Sequence, residues 1–329
     1  MKVLGLSFGR RDQNCDICVK QALLGAQEAG AEITFINTMG LKITHCTGCG
    51  ACDRRREKGG PSRCVIRDDF AFLEDAILEA DGIILAAPVY VLGPTGQYKN
   101  LLDRMGPSHD RAVMEDVQEQ RIAAGKTGEE LLDPRLFKDR FIGYISVGGA
   151  RTPHWVSMGL PNMHLFGFSM QMTPVDQLNV YGMGDRVKPF FDDALMADLT
   201  AMGHHVASSI GRNRFEVPWQ GKHAGTCPIC HNDLLTIKTG TTVECPICGM
   251  AGKLSIVDDQ IVVDFPPEQQ AMSRLRPGGV ADHHAEIDSF KPHVMEVLAQ
   301  RGAEIPGFMA RYEGIPEARR EDFMENMKQ

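Results

Sequence analysis

Short apolar runs alternate with segments of helical periodicity through the first 210 residues, and this alternation restricts the fold more than any other feature. Strands that alternate with helices form a parallel sheet with helices on both faces, because each crossover returns the chain to the same edge. We therefore predict an α/β fold with a doubly wound, five-stranded parallel sheet. The predicted strands cover 3–7, 32–36, 82–87, 140–147 and 171–180, and the predicted helices cover 15–29, 70–80, 97–105 and 189–210.

A compact group of cysteines follows the second predicted strand, in the run C-T-G-C-G-A-C and a fourth position further along. The repeated two-residue spacing lets one tight loop direct three thiolates to one point, as an iron–sulfur cubane requires. A zinc site would more often use two separated C-x-x-C pairs. Buried inert thiols or a disulfide pair are the alternatives, although packing alone rarely gathers four cysteines so closely. We predict a [4Fe–4S] cluster held by Cys46, Cys49, Cys52 and Cys64.

Two C-P-I-C knuckles flank a predicted hairpin nearer the C-terminus, and they contain Cys227, Cys230, Cys245 and Cys248. Four thiolates in this arrangement make a closed tetrahedral site, and so small a module folds around its metal. Zinc is the default occupant, and a single iron of the rubredoxin kind is the alternative. We predict a β-rich four-cysteine ribbon over 215–264 and a polar, helical tail over 265–329.

Charge and cysteine distribution argue against several classes of function. The formal net charge is -8 and no basic block offsets it, which disfavours nucleic acid or an anionic membrane surface as a partner. No run approaches the roughly 20 apolar residues that span a bilayer, and the N-terminus does not resemble a secretory signal. The ten cysteines fall into three groups, the third being Cys15 and Cys18, which indicates metal or redox chemistry in a reducing compartment. We expect a cytoplasmic protein.

Three loops that follow predicted strands carry chemistry suited to a ligand, since open parallel sheets bind ligands at the carboxyl ends of their strands. The first loop is S-F-G-R-R-D-Q-N-C at 7–15. Its glycine permits a tight turn, its arginine offers a fork-shaped cation, and the following helix presents amides, so the loop suits a phosphate. An ordinary helix-capping loop is the alternative. The predicted phosphate contacts come from Ser7, Gly9, Arg10, Asn14 and Cys15.

The second loop, A-A-P-V-Y-V-L-G-P-T-G-Q-Y-K-N-L-L-D-R at 86–104, contains P-V-Y, a Gly/Thr-rich turn and K-x-x-x-D-R. This order resembles the flavodoxin-like, NAD(P)H-dependent flavin mononucleotide (FMN) reductase family, in which the P-V-Y backbone flanks the isoalloxazine ring. With the cysteine loop and C-V-I-R-D-D at 64–69, the resemblance narrows to the iron–sulfur flavoproteins. It implies bound FMN, a [4Fe–4S] cluster, a homodimer or homotetramer, and ring contacts from Pro88, Val89, Tyr90 and Gly93.

The sequence departs from this family in three places. Where the family's phosphate loop usually reads S-P-R-x-x-G-N-[ST], this chain reads F-G-R-R-D-Q-N-C, so Cys15 replaces a hydroxyl and would bind phosphate more weakly. The spacer between Cys52 and Cys64 is longer than usual. The four-cysteine ribbon is an addition, so reduction of free flavin need not be the physiological activity.

The third loop, S-V-G-G-A-R-T-P-H-W at 146–155, would approach the flavin edge. Gly148 and Gly149 would allow close backbone contact with the ring. Arg151 would favour a reduced, anionic flavin, and His154 would cap the ring or donate a proton to a substrate. The alternative is that His154 and Trp155 belong to the first turn of a helix at a subunit contact.

Together these features predict an oxidoreductase with FMN, a [4Fe–4S] cluster and zinc, or a single iron, in the ribbon. We expect it to take electrons from ferredoxin or NAD(P)H and to reduce a small organic acceptor through the flavin. An electron carrier between ferredoxin and a partner enzyme, or a redox-sensing interaction protein, is the alternative. The predicted FMN domain covers 1–214, with the cluster loop inserted at 44–67. Residues 110–139 are predicted to be a solvated helical excursion or a lid, without chemistry.

Overall fold

The computed structural model describes residues 1–185 and 188–316 of the chain. The chain divides into two compact units, Met1–Ala281 and Asp282–Gln329. The first unit contains a parallel sheet and the four-cysteine ribbon, and the described part of the second is helical. The predicted boundaries at 214 and 264 both lie inside the first unit and stay predictions.

Five parallel strands form the centre of the first unit, and all five lie close to their predicted bounds. They are β1 (Lys2–Ser7), β2 (Glu32–Asn37), β3 (Gly82–Tyr90), β5 (Phe141–Val147) and β6 (Thr173–Val180), while the short β4 (Gly93–Pro94) pairs antiparallel with β3. The strand order is β2-β1-β3-β5-β6, which is the doubly wound order of flavodoxin-like sheets. Because successive side chains of a strand face opposite ways, Ile83 and Leu85 enter one core and Ile84 the other, which explains the uninterrupted apolar run of β3.

Helices cover both faces of this sheet, as predicted. They are α1 (Asn14–Glu28), α2 (Ala51–Glu57), α3 (Phe70–Glu79), α4 (Gly96–His109), α5 (Arg111–Ala123), α6 (Gly159–Met163) and α7 (Asp193–Ser209). Helices α1 and α7 pack on one face, and α3, α4 and α5 pack on the other. Helix α7 begins later than predicted because the Asp192 carboxylate accepts a hydrogen bond from the Leu195 amide and caps it, leaving Pro189–Phe191 as a separate 3-10 turn.

The four-cysteine ribbon is a small antiparallel sheet that packs against the α/β part of the same unit. Its strands are β7 (Thr236–Ile237), β8 (Thr242–Glu244), β9 (Ala251–Val257) and β10 (Gln260–Asp264). Leu165, from the segment before β6, packs against the ribbon core. The Gln177 side chain of β6 donates to the backbone carbonyl of His231, next to the second cysteine of the first knuckle (2.6 Å). The ribbon therefore extends the fold of the first unit.

Residues 110–139 are helical, as predicted, but the prediction that they are solvated is wrong. Helix α5 is followed by two short 3-10 turns, Gly128–Glu130 and Pro134–Phe137. Met114, Leu132 and Leu136 from this segment are buried in the core that also contains α3 and α4. Among the charged residues of the segment, Arg121 is buried as well and donates to the carbonyls of Arg56 and Gly60.

The chain beyond the ribbon is helical where the structure describes it. It contains α8 (Pro267–Ala271), α9 (Pro277–Arg301) and α10 (Ile305–Ala310). The predicted polar character is only partly correct, because Ile287, Phe290 and Val294 repeat on α9 at helical spacing and are exposed. None of the described helices is long and apolar enough to cross a membrane.

Candidate flavin and metal sites

The carboxyl ends of β1 and β3 define the candidate flavin site. Successive strands of the sheet are added on opposite sides of β1, so the loops after β1 and β3 leave the sheet in opposite directions and open a crevice between them. All three loops singled out in the sequence begin at this edge, after β1, β3 and β5. The topology therefore brings the predicted phosphate and ring contacts to one side of the sheet.

Asp16, in the first turn of α1, organises the loop between β1 and α1. Its buried carboxylate accepts hydrogen bonds from the Ser7 hydroxyl (2.5 Å), the Asn37 side-chain amide (2.6 Å) and the Asp12 backbone amide (2.8 Å). These three hydrogen bonds replace the ones that the carboxylate would make to water if it were exposed. Ser7, a predicted phosphate contact, thus commits its hydroxyl to Asp16 and supports the loop from the core.

Gly9 lets this loop pass directly over the first turn of α1. A Cβ at Gly9 would lie 2.7 Å from Cβ and 2.9 Å from Sγ of Cys15, so a larger residue would displace the loop. Burial raises the pKa of the Cys15 thiol well above its usual value, so this sulfur is a neutral packing group. Any contact of Cys15 with a phosphate would come from its backbone amide.

The N-terminus of α1 supplies the donors that a phosphate needs. No side chain within the described ranges caps this helix end, and Arg10 just before it is exposed. Asn14 donates from Nδ2 to the carbonyl of Met183 (3.3 Å), which joins the loop to the segment after β6. Uncapped amides at a positive helix end, next to an exposed guanidinium, are a suitable donor set for a monophosphate. These residues fit the phosphate of FMN.

A strained apolar hairpin follows β3. Tyr90 of β3 pairs with Gly93 of β4, and the turn residues Val91 and Leu92 have φ values of 50° and 69°. Two positive φ values in such a turn normally require Asn-Gly, because a β-branched residue is strained there. Tyr90, Val91 and Leu92 are nevertheless exposed, and Val91 is 98% exposed. Strain of this kind tends to occur at functional sites.

The segment after β5 folds back over the end of β3. Pro88 of β3 pairs in register with Val147 of β5, so the two strand ends are neighbours. A Cβ placed on Gly159, at the start of α6, would lie 2.9 Å from Cγ2 of Val89. The predicted ring contacts Pro88 and Val89 are therefore half-buried between β4, β5 and α6, while Tyr90 remains open.

Gly148 and Gly149 join the loops after β5 and β6. The Gly148 amide donates to the Val180 carbonyl (2.8 Å), and the Gly148 carbonyl accepts from the Met183 amide (3.0 Å). The Gly149 carbonyl accepts from the Gly184 amide (3.0 Å). A Cβ on Gly184 would lie 3.0 Å from the Gly149 carbonyl oxygen, so it is this glycine that permits the close pairing of the two loops at the carboxyl edge.

Arg151 and His154 lie on the exposed part of the loop after β5. The Arg151 guanidinium donates from Nε to the Asp185 carboxylate (2.6 Å) and is 80% exposed, so its charge is shared with a neighbouring acid. The His154 ring centre lies 5.4 Å from that of Trp155, which is 61% exposed. Both residues lie in a 3-10 turn, and they offer one aromatic face and one titratable group to the solvent.

The cysteine loop at 44–67 holds its thiols near the surface. Cys49 is exposed, and Cys46, Cys52 and Cys64 are half-buried. The Gly48 amide donates to Sγ of Cys46 (3.5 Å). Hydrogen bonds from the Ala51 amide and from Thr47 lower the pKa of Cys49, so the thiolate is favoured there. Amides directed at sulfur are donors that thiolate ligands use. The described residues 44–67 do not, however, form a group of three or more ligand atoms that could hold a single metal ion, so the cluster at this loop stays a prediction.

The ribbon cysteines meet at a single point in the core of their module. Sγ of Cys227 lies 3.6 Å from Sγ of Cys248, and Sγ of Cys230 lies 3.5 Å from Sγ of Cys245. All four sulfurs lie within 4.8 Å of one another and are buried. Four thiolates about 2.3 Å from one ion have this separation. It is the only such group of three or more ligands in the described residues, so the structure supports a closed single-metal site.

Sequence reasoning missed three residues that organise these sites, namely Asp16, Asn37 and Arg104. Asp16 lies one position beyond the predicted phosphate loop, and Asn37 ends β2. Arg104 was noticed as part of K-x-x-x-D-R, yet its contact with the cysteine loop has no local signal. A buried partner from a distant segment is visible only in the tertiary structure.

The fold and its carboxyl-edge loops define a flavin-binding reductase of the flavodoxin-like class. Residues 1–181 match the family model described as NADPH-dependent FMN reductase, and the chain belongs to that family. Its similarity to a flavone synthase of Aspergillus candidus is 30% identity over 301 residues, 88% of this chain and 89% of that protein. A solved structure of a flavone reductase aligns with a TM-score of 0.79 and 28% identity, covering 97% of this chain and 99% of that one.

Iron–sulfur flavoproteins are also among the relatives. One from Methanocaldococcus jannaschii is 30% identical over 175 residues, 53% of this chain and 75% of that protein. One from Archaeoglobus fulgidus is 36% identical over 115 residues, half of its own length. The predicted family and fold class are therefore confirmed, the protein is a flavin-dependent oxidoreductase, and the family supports FMN as its flavin.

Proposed function

We propose that this protein is an FMN-dependent oxidoreductase that transfers an electron pair between its flavin and the carbon–carbon double bond next to the carbonyl of a flavone-type substrate. One observation carries this proposal: the similarity to the flavone synthase and the flavone reductase extends over nearly the whole chain, including the ribbon and the helices after it. Reduction would add two electrons and two protons across this bond. The reverse reaction would remove them.

The flavin, when bound, supplies the hydride chemistry, and the chain holds and orients it. Arg10, Asn14 and the amides after Gly9 would bind the phosphate at the N-terminus of α1. The backbone of Pro88, Val89, Tyr90 and Gly93 would flank the ring on one side, and the paired loops at Gly148 and Gly149 would limit water at the other. Ser7 and Cys15 would support the phosphate loop from within the core.

The exposed apolar residues at this edge suit a planar aromatic substrate. Tyr90, Val91 and Leu92 form one wall, and Trp155 is exposed on the neighbouring loop. Stacking between aromatic rings favours a flat polycyclic substrate over a small polar acceptor. His154, beside Trp155, would supply or remove the proton at the substrate, and Arg151 with Asp185 would set the local charge.

The two cysteine groups would serve the electron supply and the fold, respectively. Cys46, Cys49, Cys52 and Cys64 would hold a [4Fe–4S] cluster that passes electrons from ferredoxin or NAD(P)H to the flavin. Cys227, Cys230, Cys245 and Cys248 would hold zinc, or a single iron, with no open position for a substrate. A homodimer or homotetramer and a cytoplasmic location remain predictions.

The test is an anaerobic assay of the purified protein with a flavone or a simple quinone as acceptor, and with NADPH or reduced ferredoxin as donor. We expect the flavin to be reoxidised by the flavone with formation of the flavanone. His154→Gln should lower kcat at neutral pH by about a hundredfold, as loss of a general acid does. The control is His204→Gln, on the exposed side of α7. Equal flavin reoxidation with and without the flavone would overturn the proposal.

An electron carrier is the second candidate, and the exposure of Cys49 favours it. A cluster ligand at the surface shortens the path for one-electron transfer to a docked protein. In that case reduced ferredoxin would reduce the flavin rapidly, and none of the aromatic acceptors would be converted. The two candidates are therefore distinguished by product analysis in the same experiment.

A further inference from the structure

Polar side chains along one face of α4 bind the segment that carries the cysteine loop. Gln97 donates from Nε2 to the carbonyl of Thr38 (2.8 Å), and Asn100 donates from Nδ2 to the carbonyl of Ile43 (2.9 Å). Arg104 continues the row. Positions three and four apart lie on the same helix face, so the three side chains form one continuous row.

Arg104 reaches both ends of the cysteine loop. Its Nη1 donates to the carbonyl of Thr44 (3.2 Å), two residues before the first cysteine, and its Nη2 donates to the carbonyl of Ile66 (3.2 Å), two residues after the last. Nη1 also donates to both carboxylate oxygens of Asp68 (2.8 and 2.6 Å). The guanidinium lies 4.1 Å from the ring centre of Phe70. One cation thus binds the start and the end of the loop.

Two acidic residues complete this closure. The Asp68 carboxylate accepts from the Thr44 amide (2.8 Å), and the Asp69 carboxylate accepts from the Lys42 amide (2.6 Å). The side chains of Arg104 and Asp68 are at most 1% exposed, so this ion pair is shielded from water and salt. A buried pair that loses one member leaves an uncompensated charge, which makes each member difficult to replace.

Helix α4 also begins directly after the hairpin that contains Tyr90. Its first residue, Gly96, is two positions beyond β4, so the helix connects the flavin-side strand end to the cysteine loop. One helix therefore links the end of β3 to the side chains that bind the cysteine loop.

We propose that Arg104 is a positioning residue that closes the cysteine loop and holds it at a constant distance from the flavin-side end of β3. The proposal rests on the proposed function for the role of the cluster, but the closure itself concerns only residues of this chain. Arg104 acts through its hydrogen bonds to Thr44, Ile66 and Asp68.

The matched control is Arg140, an arginine buried as deeply. Arg140 is 1% exposed and donates to the carbonyls of Ile77, Leu78 and Arg135, and so it binds backbone at the opposite end of the sheet. The residues that accept these hydrogen bonds lie outside 44–67. Lysine replaces the charge in either position but cannot reproduce the planar fork. If the substitutions only destabilise the protein in general, trypsin cleavage inside the loop should increase equally in Arg104→Lys and Arg140→Lys. If Arg104 closes the loop, cleavage should increase only in Arg104→Lys.

The experiment compares Arg104→Lys, Asp68→Asn and Arg140→Lys by two readouts. The first is the trypsin cleavage rate at Arg54, Arg55 and Lys58, which lie inside the loop, measured on the full-length protein as purified, with its ribbon metal retained. We expect cleavage to increase about tenfold or more in the first two variants, which is the equivalent of one charge-assisted hydrogen bond lost. The second readout is bound iron and FMN after anaerobic reconstitution, where iron should fall by more than half and FMN should stay at the wild-type level.

Wild-type protease resistance and iron content in Arg104→Lys would overturn the proposal, as would an equal change in Arg140→Lys. If Arg104→Lys does not fold, the isosteric Asp68→Asn decides, because it removes the partner charge without changing volume. Failure of the proposed function has a different signature: the wild-type protein would bind no cluster iron, while the trypsin readout would still test the closure.

Discussion

The two groups of four cysteines differ in how the fold presents them. In the ribbon, all four thiols are buried, and their sulfurs have the separation of ligands to one ion. In the cysteine loop, Cys49 is exposed and the other three are half-buried, with Arg104, Asp68 and Asp69 closing the loop from outside. The same C-x-x-C spacing therefore produces four buried thiols in one region, and one exposed and three half-buried thiols in the other.

This difference shows that the structure around a cysteine motif, rather than its spacing in the sequence, determines how buried and how close together its thiols are. In the ribbon, the strands of a small sheet bring the two knuckles together, and the four cysteines are half of the buried residues of its core. A core with so few other apolar side chains stabilises a module only weakly, so we expect the stability of the ribbon to depend on a bound metal. The cysteine loop instead packs Cys64 against the large core of the main sheet, so we expect the fold to depend less on what its thiols bind.

The largest expected effect is the loss of the ribbon metal. Cys245→Ser should release one metal ion per chain and unfold the ribbon, because structural zinc in such modules contributes on the order of 10 kcal/mol. Metal analysis and the thermal unfolding midpoint measure this. Because Gln177 and Leu165 join the ribbon to the main sheet, we expect the midpoint of the whole first unit to fall as well.

The same metal analysis distinguishes zinc from iron in the ribbon. Zinc is colourless and redox-silent, whereas a ferric four-thiolate centre is red and paramagnetic. Loss of one iron in Cys245→Ser, with loss of a red chromophore, would show that the ribbon is a further redox centre and contradict the structural zinc prediction.

Cys49→Ser, unlike Cys245→Ser, should remove bound metal without lowering the stability of the fold. It should abolish the broad visible absorption of the cluster while FMN stays bound and the unfolding midpoint changes little, because an exposed thiol contributes little to the core. Iron analysis, flavin content and a melting curve check the three parts. Wild-type protein with no more than one iron per chain would contradict the cluster prediction.

A smaller effect is expected at His164, where the main sheet meets the ribbon. Burial lowers the pKa of His164 to about 4, from an ordinary value of 6.5, although its hydrogen bond with Gln177 opposes this (2.7 Å). Below pH 6.5 this histidine is therefore protonated in the unfolded chain, whereas in the folded protein it is protonated only near pH 4. The contribution of neutral His164 to the free energy of unfolding is fully present above pH 6.5. This free energy should fall by about 3 kcal/mol as pH decreases through this window.

His164→Gln should remove this component of the pH dependence. Urea unfolding at several pH values between 7 and 4 measures it. Protonation of the ribbon thiols affects wild type and variant equally, so it cancels when their free energies of unfolding are subtracted. Parallel stability curves for variant and wild type would show that His164 does not titrate in this window.

The smallest expected effect is on FMN affinity. Arg10→Ala should weaken FMN binding by about 1.5–3 kcal/mol, because it removes a charge-assisted contact with the phosphate. Fluorescence titration of the apoprotein with FMN measures this, and the exposed Arg212→Ala is the matched control. If riboflavin, which lacks the phosphate, loses as much affinity in Arg10→Ala, then Arg10 does not bind the phosphate.

Most of the fold could be predicted because strand and helix periodicity is a local property of the sequence. The five parallel strands and the helices between them lie within a few residues of the predicted bounds. Residues 110–139 were mispredicted as solvated because the three side chains that they bury are scattered among charged residues. The start of α7 was shifted by a single cap at Asp192.

The sequence by itself determined the fold class, the two cysteine groups and the loops at the carboxyl edge, since each of these depends on residue types at short spacing. Only the tertiary structure decided which groups support those loops, because Asp16 with Asn37, and Arg104 with Asp68, are far apart in the chain. It also decided that Ser7 and Cys15 face the core. The physical reason is that the burial and pairing of a polar side chain depend on what the fold packs against it, and no local pattern encodes that neighbour.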